Sequence, residues 1–226
     1  MCNHYSSSGE WRDRMGEFSH LKLPPFDRNR PRPNVQGPDI WPAYTGEILG
    51  IEEGELVAQA ATWLLMPFWA AKQGRKFAEW RKTNGGCNNA KGETAETIAT
   101  FRSPATSAWG RCLIPGTAFF EYHKDKGPDG RKAEYRFSYP EGRPFFFAGL
   151  RSRVEPADTG PMTGYAMVTK PHGPDTFSIG HHRQPVILEP GQLAAWLDSA
   201  NPVTEFLEPS PAATFKVELA KGMAPA

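Results

Sequence analysis

Apolar residues fall along this chain in short runs separated by turn-forming clusters, the pattern of many short strands. Residues 47–51 and 56–65 flank Glu52-Glu53-Gly54 and read as a β-hairpin that enters a core through Trp63. Pro67, within Met66-Pro67-Phe68-Trp69, stops the second of these strands, because proline cannot donate to a ladder. Further strands are predicted over residues 111–115, 118–123 and 134–138, the last after the turn Gly127-Pro128-Asp129-Gly130. Residues 144–151, 164–169 and 185–188 are also strand candidates. Helical patterning is limited to three short stretches. One lies around residues 11–18; a second covers 93–101, with acids early and Arg102 near its end. The third covers 191–198, with Leu193, Trp196 and Leu197 on one face. The remainder of 3–45 is polar, punctuated by proline, and reads as extended loop. No repeat at a solenoid or propeller period is present. This order predicts an α+β fold built around antiparallel strands, in a single domain over 1–226.

Composition adds bounds rather than identity. A chain of 226 residues that is 39% hydrophobic and 12% aromatic can bury a sizeable core, and 22 glycines with 22 prolines suit a loop-rich strand fold. A net charge of +1 leaves no global attraction for nucleic acid, so any such contact needs a local patch. Residues 70–91 offer one: Lys72, Arg75, Lys76, Arg81, Lys82 and Lys91 against the single acid Glu79. Arg28, Arg30 and Arg32 are also basic, in what reads as a solvated loop. Three cysteines at unrelated spacings, Cys2, Cys87 and Cys112, argue against a disulfide framework and against a zinc site. With no leader-like start and no apolar run of membrane length, the expectation is a reduced, cytoplasmic protein.

Four positions carry candidate chemistry. Cys2 directly follows Met1, and methionine aminopeptidases cut before small residues. Removal of Met1 would create an aminothiol, with an α-amine pKa of about 7.7–8.0 and a thiol near 8.5, both partly reactive at neutral pH. Such a residue can attack an amide or condense with an aldehyde to a thiazolidine; a plain disordered tail is the alternative. Asn89, in Cys87-Asn88-Asn89-Ala90-Lys91, can hold a ligand oxygen while Lys91 meets a phosphate, or can simply cap the helix predicted after it. Glu121 lies in the aromatic strand Phe119-Phe120-Glu121-Tyr122. It either faces solvent with Phe120 and Tyr122 inward, or is desolvated, with a raised pKa suited to proton transfer. His181, in Gly180-His181-His182-Arg183, is a candidate acid/base; adjacent histidines on opposite sides of an extended chain do not make a metal site.

Taken together, these blocks resemble a known family. Met1-Cys2-Asn3, Trp63 to Trp69, Asn89-Ala90-Lys91-Gly92-Glu93-Thr94, Arg111 to Pro115 leading to Phe120-Glu121-Tyr122, and His181-His182-Arg183-Gln184-Pro185 are similar, in order, to the SOS response-associated peptidase (SRAP) family. The resemblance implies twisted antiparallel sheets forming a barrel-like core, a few short helices and a positively charged cleft. It implies a DNA-damage protein that binds single-stranded DNA and traps abasic sites through Cys2 after autoproteolytic loss of Met1, with a weak lyase activity. Carried over by motif, Cys2 is the crosslinking nucleophile, Asn89 positions it or the sugar, Glu121 transfers protons and His181 assists opening of the deoxyribose. Lys91, Trp69, Phe68, His4 and Arg183 are the implied DNA contacts. Neither cofactor nor metal is implied, and the expected form is a monomer, on the nucleoid when bound to DNA. Asn3-His4 stands where the family commonly has Gly-Arg, and Lys91 where it has Arg. An N-terminal cysteine amidohydrolase and a noncatalytic single-strand-binding module are the competing readings.

Overall fold

The structure, a computed structural model, describes residues 2–9, 11–12, 23, 26, 33–208 and 215–225. The expected helix at 11–18 and the arginines at 28, 30 and 32 lie almost wholly outside them; Trp11 and Arg12 belong to a 3-10 turn.

Short strands dominate, in the α+β arrangement expected. The N-terminal strands are β1 (Tyr5–Ser6) and β2 (Asp39–Ile40), followed by the hairpin β3 (Thr45–Glu52) and β4 (Glu55–Thr62). Glu53 and Gly54 form its two-residue turn with φ of 51° and 85°, as a twist-matched hairpin turn requires. Two short helices follow, α1 (Phe68–Lys72) and α2 (Phe77–Thr83), then β5 (Asn89–Lys91) and α3 (Arg102–Ala105). The central strands are β6 (Arg111–Gly116), β7 (Ala118–Lys126), β8 (Lys132–Ser138), β9 (Phe145–Val154) and β10 (Met162–Pro171). Helix α4 (Pro174–Ser178), β11 (Arg183–Pro185), β12 (Ile187–Leu188), α5 (Leu193–Leu197) and β13 (Lys216–Lys221) complete the order.

These strands make two sheets. One has five strands in the order β13-β8-β7-β1-β2. The other has eight, running β11-β10-β4-β3-β6-β9-β12 with β5 also on β10. A further β9–β10 pairing joins β10, β4, β3, β6 and β9 into a ring. Most pairs are antiparallel, but β4 and β5 each run parallel to β10. Aromatic side chains fill the space between the sheets. Phe119 stacks on Phe137 at 4.8 Å, and Tyr5 meets Trp63 and Phe147 edge-on at 5.0 and 5.7 Å. Each such pair contributes about 0.5–1.5 kcal/mol beyond area burial. A second core lies on the other side of the ring, where Trp196, Leu193 and Leu197 of α5 pack with Leu49, Leu113 and Leu150.

Three expectations need correction. Residues 93–101 form no α-helix: a 3-10 turn covers Gly92–Thr94, isolated turns follow, and the helix is only α3. Threonine hydroxyls compete for the backbone there, with Thr97 Oγ1 donating to Thr94 O at 3.0 Å. Glu96 is drawn off to the Val203 N–H at 3.0 Å and to Arg111 at 3.6 Å. The second hairpin strand ends at Thr62, and Trp63, Leu64, Leu65 and Met66 cross the core as buried connection. The stretch 185–188 is shared between two strands. Val186 N–H donates to Val168 O and its carbonyl accepts from Ala148 N–H, so the chain passes from β10 to β9 at that residue.

Candidate functional site

The chain start is built into the five-stranded sheet. Tyr5 and Ser6 pair with Phe119 and Ala118 of β7, and Phe120 N–H donates to His4 O at 3.0 Å. The Tyr5 hydroxyl is bonded to the Tyr165 hydroxyl at 2.6 Å. The His4 ring lies between Trp41 and Phe120, both centroids 3.8 Å away and nearly parallel. Its Nδ1 faces Glu134 and its Nε2 faces Asp39, each at 3.3 Å. Cys2 is therefore no loose tail: its side chain is fully buried.

Asparagines hold Cys2 from the opposite side. Asn89 Nδ2 donates to the Cys2 carbonyl at 2.7 Å, and Asn88 Nδ2 reaches the same oxygen at 3.3 Å and Asn3 Oδ1 at 3.2 Å. Asn89 is placed by β5, which pairs with β10 at Met167. Asn88 is placed through its carbonyl, which accepts from Trp63 Nε1 at 2.8 Å. Asn89 Oδ1 is buried and has no hydrogen-bond partner, which leaves an acceptor open beside Cys2. The Cys2 thiol donates to His4 O at 3.3 Å. Burial first, and the Glu121 charge second, hold it far above the ordinary thiol range.

Glu121 is the third member. Alternation with Phe120 and Tyr122 inward and Glu121 outward is not what β7 shows: Glu121 is 3% exposed and Tyr122 is 40% exposed. Desolvation raises its carboxyl from the ordinary 4.5 to about 8. Its Oε2 lies 3.1 Å from His181 Nε2.

His181 is placed by the end of α4. Gly180 follows the helix at φ 70°; its N–H donates to Phe177 O at 2.8 Å, and the His181 N–H donates to Thr176 O at 3.0 Å. This pair of bonds is the glycine-terminated Schellman cap, so the sequence Ser178-Ile179-Gly180 dictates where the histidine begins. His181 Nδ1 stands 2.7 Å from Arg183 O and must carry its proton there. The Nε2 lone pair then faces Glu121. Burial lowers the imidazole pKa while it raises the carboxyl's, so the neutral pair is favoured, with Glu121 donating to His181. One proton is thus held between an acid and a base beside Cys2.

Cys2, Asn89, Glu121 and His181 are brought together from positions far apart in the chain. The expected contact residues divide. Lys91 is exposed on β5, two residues beyond Asn89, and Phe68 is 61% exposed at the start of α1. Trp69 is 36% exposed, edge-on to Trp80, with the Arg75 guanidinium 5.8 Å from its ring. His4, by contrast, is buried in its ring sandwich. Arg183 is turned inward, making two bonds to Glu93 at 2.8 and 2.9 Å and two to Thr169. Those bonds hold the Glu93 carboxyl below its usual range. Sequence reasoning missed Asn88, although it stands next to Asn89, and the Tyr165 that anchors Tyr5. Among the described residues no group of three or more His, Cys, Asp or Glu side chains is placed to hold a metal ion, and no helix is long and apolar enough to cross a membrane.

The family model for SOS response associated peptidase (SRAP) matches residues 1–220. The chain belongs to the SRAP family. The family ties it to the response to DNA damage and to interaction with DNA. Solved structures share the fold. A protein from Bordetella bronchiseptica is 28% identical, with a TM-score of 0.74 over 97% of this chain and 100% of that one. A Bacteroides thetaiotaomicron protein is 21% identical, with a TM-score of 0.73 over 97% and 92% of the two chains. A phage-related protein from Bordetella bronchiseptica is 22% identical, with a TM-score of 0.63 over 98% and 95%. No curated protein matches the chain significantly.

Proposed function

We propose that this SRAP protein captures abasic sites in single-stranded DNA covalently, through Cys2 freed of Met1. The observation that carries the reading is the convergence on Cys2 of the Asn89 amide and the proton-sharing Glu121–His181 pair. Loss of Met1 is a hydrolysis: water is added across the Met1–Cys2 amide, liberating methionine and the Cys2 amine. An abasic deoxyribose is mostly a closed hemiacetal, and His181 is the base that assists its opening to the aldehyde. The Cys2 amine adds to the aldehyde carbon. Glu121, protonated at neutral pH, gives its proton to the departing hydroxyl, which leaves as water. The thiol sulfur then adds to the resulting iminium carbon and its proton returns to the acid–base pair. The net change is aldehyde plus aminothiol to thiazolidine plus water. With no imine left, strand β-elimination has no driving intermediate.

The raised thiol supports this order over a cysteine amidohydrolase, which needs a thiolate as first nucleophile. Exposed Phe68 and Trp69 serve as stacking platforms, at about 1–3 kcal/mol per base, and Lys91 meets phosphate. The test is incubation with an abasic single-stranded oligonucleotide, read on a denaturing gel. The expected result is a heat-stable shifted band, absent in Cys2→Ala and weakened in Glu121→Gln and His181→Ala. A wild-type protein of confirmed mass lacking Met1 that gives no band overturns the reading.

A further inference from the structure

The strand ring carries a second recess. Pairing register puts Gln59 of β4, Glu52 of β3, Arg151 and Arg153 of β9 and Thr163 of β10 around it. β4 and β10 meet at one pair, Thr62 with Gly164, and between their earlier residues a cavity of about 260 Å³ opens. Trp109 completes its lining, and a further cavity of about 340 Å³ adjoins it at Arg153 and Thr163. Thr163 stands four residues before Met167, which pairs with the Asn89 that holds Cys2, so roughly 13 Å of strand separates the recess from the Cys2 side.

The lining has unspent recognition chemistry. Gln59 Nε2 is buried without a hydrogen-bond partner. Arg151 makes three bonds, to Trp109 O, Glu52 Oε1 and Ile51 O, at 2.6–2.8 Å. Arg153 makes one bond, to Glu52 Oε1 at 2.9 Å, and its side chain is 64% exposed, so further N–H donors face outward. The Trp109 side of the mouth is aromatic, and the residue is 44% exposed. Two guanidiniums against one carboxylate make the lining positive. A simple anion would leave Trp109 unused, and an apolar ligand would leave the donors unpaired.

We propose that this recess binds a nucleotide unit: the base stacks on Trp109, an acceptor on its edge takes the Gln59 N–H, and the phosphate meets Arg153. The proposal is independent of the Cys2 chemistry. The ligand is either a free mononucleotide or a nucleotide within a strand. Calorimetric titration with deoxyadenosine monophosphate, and separately with a short unmodified oligodeoxynucleotide, distinguishes the sources. Saturable binding is expected, weakened at least tenfold in Trp109→Ala and in Arg153→Gln. Gln59→Leu is expected to weaken binding without lowering the melting temperature, because the native donor is unpaired; a merely structural glutamine would show the reverse. Binding of the mononucleotide points to a free ligand, and binding of the oligonucleotide alone, still lost in the variants, points to a strand. Absence of saturable binding by either probe, or equal binding by wild type and all three recess variants, overturns the proposal.

Discussion

Glu121 Oε2 and His181 Nε2 stand 3.1 Å apart, and the Arg183 carbonyl on the far side of the imidazole fixes which nitrogen can receive the proton. The acid–base assignment thus follows from a backbone oxygen, and it has consequences for pH. Glu121 titrates near 8 when folded against an ordinary 4.5. Between those values the folded chain retains a proton that the unfolded chain releases, so stability falls as pH rises through this window. Glu121→Gln keeps an N–H donor toward His181 and escapes the titration. Thermal unfolding at pH 5 and pH 8 should show the variant gaining on the wild type at the higher pH. Crosslinking should also lose rate in the wild type as pH passes about 8, a limb absent from the residual activity of Glu121→Gln.

Gly180→Ala forces a β-carbon into a left-handed conformation, at roughly 1–2 kcal/mol, and against the Lys124 side chain. Because the same turn launches His181, the crosslinking rate should fall by about tenfold, more than the loss of folded protein explains. Single-turnover rates at a temperature where both proteins remain folded provide the check. Gly180→Asn, which tolerates the conformation better, should lie between.

Asn89→Ala removes the 2.7 Å donor to a buried carbonyl and should cost about 1–3 kcal/mol in urea unfolding. Asn88→Ala should cost less, since its two bonds are 3.2 and 3.3 Å long. Intact-mass measurement should show slowed loss of Met1 in Asn89→Ala before it shows any in Asn88→Ala.

His4→Ala empties the slot between Trp41 and Phe120 and leaves the facing Glu134 and Asp39 without their ring partner. Loss of about 2–5 kcal/mol is expected, the range for truncating a large buried side chain to alanine. His4→Phe should recover the stacking portion and leave only the polar deficit, as measured by urea midpoints.

What the sequence disclosed depended on range. The β3–β4 hairpin was legible because two adjacent residues, Glu53 and Gly54, suffice for its turn. The 191–198 helix was legible from the spacing of Leu193, Trp196 and Leu197, although the structure begins it with a 3-10 turn over Pro190–Gln192. Residues 93–101 misled because helix propensity there yields to Thr97 and to the distant partners of Glu96. The inward Glu121 was not settled by alternation, since its cover comes from the chain start and the α4 turn, sixty or more residues away. Cys2, Asn89, Glu121 and His181 emerged as a set through family resemblance; no local spacing relates them. The His4 sandwich was invisible because its rings and carboxylates come from residues 39, 41, 120 and 134.

Among the described strands β13 forms the outer margin of the five-stranded sheet and carries Lys216 and Lys221, both exposed, with Glu218 half-buried and paired to Lys216. Charged side chains on a free margin penalise docking of a second copy by backbone pairing. At the opposite margin β2 is only two residues long, too short to template a partner. Backbone pairing of two copies through either margin of this sheet is thereby disfavoured.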